Sequence, residues 1–244
     1  MSNLLSRKLQ NFVELNKSAL ELLDRVTART RIVPPRTDLI AEGDEPSDVH
    51  LILRGFACRY KILPDGSRQI MAYLVPGDLC DLHVFLLDHM DHSLGTLSEC
   101  EVVDVPRATI QEMLRNPSIS EGLLLSTLVD EGTLREWLVN LGRRDAEQRV
   151  AHLLCELLAR LRAVGLVSED SFRLPLTQIE IADTTGMTAV HVNRVFHRLR
   201  GDNLISLKGS ELVVLDVKRL ESIAGWNSNY LHLRQKTGGR PLLI

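Results

Sequence analysis

A short stretch in the last third of the chain collects side chains that can recognise nucleic-acid bases. Asn193 and Arg194 offer hydrogen-bonding groups, and Ala189 and Val190 offer methyl groups. An arginine can contact guanine O6 and N7 together, an asparagine can pair with adenine, and an aliphatic methyl can contact the thymine methyl. We therefore predict that Ala189, Val190, Asn193 and Arg194 read bases in double-stranded DNA.

The polar residues beside them suit the DNA backbone. We predict phosphate contacts from Thr188, His191, Arg198 and Lys208, which would contribute affinity without sequence information. From residue 186 to residue 210 there are four lysines or arginines against one acid. This local basic excess is concealed by the net charge of −3 for the whole chain.

Two helices are needed to position these side chains. Ala182 is the small residue that a crossing of two helices requires, and Gly186 follows four residues later, where the turn needs a positive φ. Thr188 suits the N-cap of the second helix, and Thr177 with Glu180 suits a capping box on the first. The spacing predicts a helix-turn-helix, whose second helix lies in the major groove.

The second helix also has an inward face, made by Val192, Val195 and Leu199 at helical spacing. A hairpin is predicted to follow it, with strands over Leu204–Leu207 and Leu212–Leu215. A wing-like hairpin and a basic helix face together favour DNA binding. The alternative is a ligand-binding signalling module whose C-terminal helices contact protein rather than DNA.

The N-terminal half has glycines at the spacing expected for turns in an all-β domain. Gly43, Gly55, Gly66 and Gly77 recur every 11 or 12 residues, with short apolar or alternating runs between them. Short strands separated by turns at this interval predict a sandwich or barrel. Asp65 followed by Gly66 is a hairpin signal, because both residues tolerate a positive φ.

A long helix is predicted after Pro117, because apolar residues recur there at three- and four-residue steps. We predict that this stripe forms a dimer seam. Packing against the preceding β-domain alone is the alternative. The predicted seam residues are Leu124, Leu128, Leu134, Trp137, Leu138 and Leu141.

Composition places the chain among ordinary globular proteins, with 44% hydrophobic and 25% charged residues. No apolar run approaches the roughly 20 residues of a membrane span. The N-terminal residues lack the basic-then-apolar order of a secretory signal, so we expect a cytoplasmic protein. Phosphate-loop, nucleophile-elbow and HExxH patterns do not occur, so we do not expect an enzyme.

The four cysteines, Cys58, Cys80, Cys100 and Cys155, show no C-x₂-C spacing. A reducing compartment also argues against disulfides. We expect four small buried residues. A redox or metal-cluster role is the alternative.

In these features the chain resembles the cyclic-AMP receptor protein and fumarate-nitrate regulator (Crp/Fnr) superfamily. The segments Leu51–Gly55 (LILRG), Asp65-Gly66 and Val75–Leu79 (VPGDL) match that family in order and spacing. The resemblance implies an α+β fold with a cyclic-nucleotide-binding-like β-roll, or jelly roll, a long dimerisation helix and a C-terminal winged helix-turn-helix. The boundaries that follow are residues 1–115 for the sensor β-roll, 116–143 for the dimerisation helix, 144–234 for the DNA-binding domain and 235–244 for a tail.

The same resemblance implies partners and a mode of action. Family members act as homodimers on a pseudo-palindromic operator and recruit or block RNA polymerase, so they activate or repress transcription. An effector that is sensed by the β-roll controls this activity. The residues themselves name neither the effector nor a cofactor.

Departures from the family pattern bear on that effector. Members that bind cyclic nucleotides carry Gly-Glu where this chain has Asp81-Leu82, and Arg-Ser where it has His92-Ser93. A neutral imidazole is a poor substitute for the guanidinium that pairs with a phosphate. We therefore predict an effector pocket at Asp81, Leu82, His83, His92 and Ser93 that does not take cyclic AMP. The N-terminal cysteine cluster of the iron–sulfur members is also missing, since no cysteine precedes Cys58.

A cluster of histidines and aspartates falls in this segment. Imidazole and carboxylate groups suit several first-row metals, so one interpretation is a metal or haem site. The other is a polar strand and turn at the edge of the β-roll. The residues concerned are Asp81, His83, Asp88, His89, Asp91 and His92.

Overall fold

The structure is a computed structural model that describes residues 3–82 and 86–233. Two short helices begin the chain, α1 at Leu4–Gln10 and α2 at Lys17–Val26. An asparagine side chain caps each one by accepting from a backbone N–H in the first turn. Their buried leucines pack under the β-domain that follows.

Eight strands form that domain as two four-stranded antiparallel sheets, in the orders β1-β8-β3-β6 and β2-β7-β4-β5. Apolar side chains alternate into the space between the sheets, where Ile52, Leu74 and Val102 are fully buried. The β4–β5 hairpin turns through Gly66 at φ +83°. The strands are β1 Arg31–Val33, β2 Asp38–Ile40, β3 Asp48–Arg54, β4 Ala57–Ile62, β5 Arg68–Leu74, β6 Leu79–Cys80, β7 Ser93–Thr96 and β8 Cys100–Pro106.

A helical connection leads out of this β-roll. Helix α3 covers Arg107–Arg115, and α4 runs over the 27 residues Pro117–Arg143. The Asn116 side chain caps α4, and Pro117 occupies its first turn, where a missing N–H costs nothing. One side of α4 packs on the β-roll and on α1.

The C-terminal part is a helical domain with a small sheet. Helix α5 covers Ala146–Ala163 and opens with a capping box between Asp145 and Gln148. Ten of its residues are buried, which makes it the centre of the domain core. The other elements are β9 Ser171–Arg173, α6 Gln178–Thr185, α7 Ala189–Gly201, β10 Ile205–Lys208, β11 Glu211–Val214, α8 Val217–Ala224 and a 3-10 turn at Ser228–Leu231.

These elements confirm the α+β architecture predicted from the sequence. The predicted wing hairpin is also confirmed, with Leu207 opposite Leu212 in its antiparallel register. All four cysteines are buried and free of disulfides, as expected for structural residues. The tail at 235–244 lies outside the described residues. Within the parts of the chain that are described, no helix combines the length and apolar character needed to cross a membrane.

The β-roll and the C-terminal domain touch directly. Arg68 on β5 donates to Asp183 on α6 at 2.8 Å, and Tyr73 on β5 lies against the same helix. A second link joins Arg160 of α5 to Asp78, which follows β5, at 2.7 Å. The helix-turn-helix is therefore held against a strand of the β-roll, as well as being joined to the β-roll through α4.

Candidate nucleic-acid interface and sensor cavity

Capping interactions set the geometry of α6 and α7. The Thr177 hydroxyl accepts from the Glu180 N–H at 3.2 Å, and the Glu180 carboxylate accepts from the Thr177 N–H at 2.6 Å. Gly186 ends α6 at φ +64°, a conformation that favours glycine. The Thr188 hydroxyl then caps α7 by accepting from the His191 N–H at 3.2 Å. Both caps and the turn lie where the sequence predicted them.

Helix α7 buries one face and presents the other. Val192, Val195 and Leu199 are buried against α5 and α6. The four predicted base readers, which we call the reading face, lie on the opposite side: Arg194 is exposed, Val190 is 62% exposed, and Ala189 and Asn193 are half-buried. The structure thus brings the four predicted readers onto the free side of one helix.

A groove lies between the reading face and the N-terminus of α5. It encloses about 580 Å³ and includes Thr188, His191 and Arg198, three of the four predicted phosphate-binding residues. Arg198 donates to the Glu147 carboxylate at 3.0 Å. Sequence reasoning missed Glu147, because it lies 51 residues before its partner. The fourth predicted phosphate contact, Lys208, is exposed at the end of β10 next to the wing turn.

A further contact joins the two helices at this surface. Gln178, the first residue of α6, donates from Nε2 to Oδ1 of Asn193 at 3.1 Å. No pattern in the sequence pointed to Gln178, since its partner is 15 residues away and on another helix. The side chain of Asn193, a predicted base reader, is therefore held by Gln178.

A cavity of about 520 Å³ lies between the β-roll and α4, and we call it the sensor cavity. Asp81, Leu82 and His92, three of the five residues predicted to form an effector pocket, line it. The prediction that Ser93 lines this pocket is wrong. Ser93 is not among the lining residues, and its hydroxyl accepts from the Glu42 N–H at 2.9 Å. His83 lies outside the described residues. The rest of the described lining is Arg59, Met71, Leu79, Leu87, Asp91, Leu123, Ser126, Thr127, Asp130, Glu131 and Leu134.

A buried ion cluster occupies the floor of the sensor cavity. Arg59 on β4 donates to Asp81 at 3.0 Å and to Asp130 of α4 at 3.3 Å. His92 lies 3.2 Å from Asp81 on the other side. Burial alone would raise the pKa of Asp81, but the charge of Arg59 and the hydrogen bond from His92 outweigh it and hold that pKa well below its usual range.

This cluster decides what the cavity can bind. Arg59 is the only lysine or arginine among the described lining residues, and two carboxylates already share its guanidinium. An incoming phosphate would have to displace one of these carboxylates from the guanidinium, and the negative charges of Asp81 and Asp130 would repel it. The geometry therefore disfavours an anionic cyclic nucleotide at this place.

The histidine and aspartate segment around the cavity does not assemble into a metal centre in the part that is described. His92 is held between Asp81 and Asp91, the latter at 2.6 Å, while Asp88 and His89 point to solvent. Among the described residues, no three His, Cys, Asp or Glu side chains are arranged so that they could hold a metal ion. His92 is thus part of an ion-pair network that joins the strand ends.

The exposed side of α4 carries a row of leucines. Leu124, Leu128, Leu134 and Leu138 are between 43% and 72% exposed, and we call them the leucine stripe. The prediction that Trp137 belongs to the dimer seam is wrong, because Trp137 lies inside the protomer. It is 5% exposed, and its indole N–H donates to the buried Glu156 carboxylate at 3.0 Å.

Leu141 is also inside the protomer in part. It is half-buried, and its Cδ2 lies 3.4 Å from where a Cβ on Gly186 would be. The C-terminal end of α4 thus contacts the turn of the helix-turn-helix. Four of the six predicted seam residues remain on the free side of the helix.

Comparison with known proteins gives two domain matches. Residues 30–116 match the family model for the cyclic nucleotide-binding domain, and residues 148–223 match the model for the Crp-like helix-turn-helix domain. These segments contain the β-roll and the α6–α7 pair respectively.

Similar proteins and structures agree with these matches. The chain is 31% identical over 209 residues to a "Probable transcriptional activator" from Rhizobium leguminosarum bv. viciae, covering 85% of each chain. It is 30% identical over 196 residues to the transcriptional activator protein FnrL from Cereibacter sphaeroides, covering 78% of each. The solved structure of FixK2 from Bradyrhizobium japonicum superposes with a TM-score of 0.70 at 22% identity, covering 80% of this chain and 96% of that one.

Proposed function

The chain belongs to the Crp/Fnr family of DNA-binding transcription regulators, and we propose that it acts as a homodimer that reads a pseudo-palindromic operator through α7. The observation that carries this proposal is the reading face, where Arg194, Asn193, Val190 and Ala189 share the free side of a capped helix. A recognition helix contacts base edges with its N-terminal half, and these residues lie there. The alternative of a protein-binding signalling module is not favoured.

Direct base reading follows from the chemistry of the reading face. We assign Arg194 to a guanine, Asn193 to an adenine, and Val190 and Ala189 to thymine methyls. Thr188, His191, Arg198 and Lys208 would contact phosphates on either side. A long acidic or apolar surface at this place would have argued against DNA, and neither is present on the described part of α7.

The leucine stripe supports a homodimer. Four exposed leucines at helical spacing on a 27-residue helix form a surface that a second copy of α4 can cover. Such a symmetric pair would place two copies of α7 in successive major grooves, which requires half-sites about one helical turn apart. The pseudo-palindrome of the operator follows from the two-fold symmetry of the dimer.

The sensor cavity supports control by a ligand other than cyclic AMP. It lies between the β-roll and α4, so a ligand there would contact both the sensor and the proposed dimer helix. A change in α4 would reorient the two α7 helices as a two-state rigid-body switch. Its ion cluster, in which Arg59 is shared by Asp81 and Asp130, supports the exclusion of an anionic nucleotide.

We further infer that the DNA-bound dimer contacts RNA polymerase. One of the relatives named above is a transcriptional activator, and the other is named as a probable one. Activation by a DNA-bound regulator needs a surface that remains free when α7 is in the groove. Activation of a promoter that carries the selected operator would support this inference.

Selection from a pool of randomised DNA tests the proposed function. The full chain is incubated with the pool, bound DNA is recovered and sequenced, and the mass of the free protein is measured by sedimentation. We expect a two-fold-symmetric sequence to be enriched and a mass of two chains. A protein that enriches no sequence at low salt would overturn the proposal.

A further inference from the structure

The hydrogen bond between Gln178 and Asn193 can fix the orientation of a predicted base-reading side chain. Gln178 Nε2 donates to Asn193 Oδ1 at 3.1 Å, and the bond crosses from the first turn of α6 to the second turn of α7. Gln178 is exposed and Asn193 is half-buried. The bond therefore lies on the surface that the reading face shares with the start of α6.

Neither helix needs this bond to hold its place. The first turn of α6 is already fixed by the capping box of Thr177 and Glu180. The crossing of the two helices is held by buried Ala182, Val192 and Val195. A hydrogen bond between two side chains open to water adds little to that packing. Its consequence is for the orientation of the Asn193 amide.

We propose that Gln178 is a positioning residue for base reading, which holds the Asn193 amide with its Nδ2 end towards the DNA. This inference rests on the proposed function. An amide has one donor end and one acceptor end. Because Gln178 donates to Oδ1, the Nδ2 end of Asn193 is left to donate to the DNA.

This polarity selects a base. In the major groove, an outward N–H group finds an acceptor at the N7 atom of a purine. The second lone pair of Oδ1 can accept from the N6 amino group of adenine, whereas guanine presents O6, a second acceptor, at that point. Gln178 therefore favours adenine over guanine at the base pair that Asn193 reads.

Two substitutions at Gln178 separate the role of its donor from that of its bulk. Gln178→Ala removes the bond and frees the Asn193 amide to rotate. Gln178→Glu keeps the length but replaces the donor by a carboxylate, which only accepts. The Asn193 amide must then turn its Nδ2 inward and its Oδ1 outward, and an outward acceptor suits the N4 amino group of cytosine.

The experiment repeats the selection from randomised DNA with the full-length wild type, Gln178→Ala, Gln178→Glu, Asn193→Ala and the double variant Gln178→Ala/Asn193→Ala. Gln111→Ala, an exposed glutamine on α3, is the matched control. Thermal unfolding checks that each variant is folded. Base frequencies at every operator position are compared.

With Gln178→Ala, we expect the adenine preference at one position per half-site to fall by about fivefold. With Gln178→Glu, the preference at that position should move towards cytosine, while the added charge weakens binding to all sequences alike. In the Asn193→Ala background, Gln178→Ala should change nothing further, because the two residues act as one unit. Gln111→Ala should reproduce the wild-type frequencies.

Two results would overturn the inference, and they differ from each other. If Asn193→Ala flattens a position that Gln178→Ala leaves unchanged, Gln178 does not position Asn193, although DNA reading by α7 stands. If the wild type enriches no sequence, the proposed function fails and this inference fails with it.

Discussion

The hydroxyl of Thr184 on α6 donates to the hydroxyl of Tyr73 on β5, with 2.6 Å between the two oxygens. The Tyr73 hydroxyl in turn donates to the Glu180 carbonyl at 3.1 Å, and both side chains are buried. The sensor sheet and the first helix of the helix-turn-helix thus share a hydrogen-bonded contact that water does not reach. A movement of β5 must move α6 or break this contact.

Removal of the Tyr73 hydroxyl tests how strongly the two domains are joined. Tyr73→Phe should lower the free energy of unfolding by about 1–2 kcal/mol, because it removes the buried hydrogen bonds that the Tyr73 hydroxyl makes with α6. Thr184→Val should lower it by a similar amount. The measurement is urea unfolding at one fixed protein concentration, for both single variants and the double variant.

A double-mutant cycle then isolates the pair. We expect the double variant to be less destabilised than the sum of the two single variants by about 0.5–1.5 kcal/mol. Purely additive losses would show that the two hydroxyls do not interact.

The ion cluster of the sensor cavity predicts a dependence of stability on pH. Burial would lower the pKa of His92, but hydrogen bonds and charge from Asp81 and Asp91 raise it above its ordinary value. The folded protein therefore keeps a proton that the unfolded chain releases near pH 6.5. The stabilisation is complete below that pH and is lost as the pH rises through the raised pKa of the folded state.

The melting temperature of the wild type and of His92→Gln, measured from pH 6 to pH 9, checks this sign. We expect the wild type to lose stability relative to the variant as the pH rises through that range. A difference between the two proteins that does not change with pH would show that the proton on His92 is not coupled to folding.

The contact between Glu147 and Arg198 predicts an increase in DNA affinity. Arg198 must leave this carboxylate, 3.0 Å away, to bind a phosphate, and Glu147 itself repels the DNA backbone. Glu147→Gln should therefore tighten binding to any DNA by about two- to fivefold at low salt. Fluorescence anisotropy with random and selected duplexes measures this, with Glu45→Gln, an exposed residue of the β-roll, as the control.

The order of affinities among sequences should stay the same, because phosphates carry no sequence information. Equal affinities of Glu147→Gln and Glu45→Gln would mean that Glu147 does not compete with phosphate for Arg198.

The leucine stripe predicts the oligomeric state. Leu128→Arg places a charge in the centre of the proposed seam, where it would lose its hydration on association. Sedimentation should then show a mass that falls from two chains towards one, and affinity for a two-half-site operator should fall with it. Leu114→Arg is the matched control, since Leu114 on α3 is equally exposed (43%) but lies outside the stripe. A Leu128→Arg protein that remains fully dimeric would place the interface elsewhere.

Local patterns account for what the sequence predicted well. Thr177 and Thr188 each specify a cap through the side-chain hydroxyl, and Gly186 specifies a turn through its backbone, so the helix-turn-helix could be located without knowledge of its surroundings. The β-roll turns and the wing hairpin are local in the same sense. The sequence also predicted helix α4, but its apolar pattern did not distinguish the side that packs inside the protomer from the exposed side.

Contacts between distant residues account for the rest. Trp137 follows the same three- and four-residue spacing as the leucine stripe, yet it turns inward because a buried carboxylate, Glu156, accepts from its indole. Arg59 and Asp130 lie 71 residues apart and meet only when α4 packs on the β-roll. Spacing along one helix cannot report such partners.

The direct test of DNA reading by α7 is a competition between the selected operator and a scrambled duplex of equal length at one salt concentration. The wild type and Arg194→Ala are compared, with Lys208→Ala as the control for phosphate contacts. We predict that Arg194→Ala loses most of its preference for the operator, while Lys208→Ala weakens both duplexes and reduces the salt dependence. An Arg194→Ala protein that keeps the wild-type preference would contradict the account.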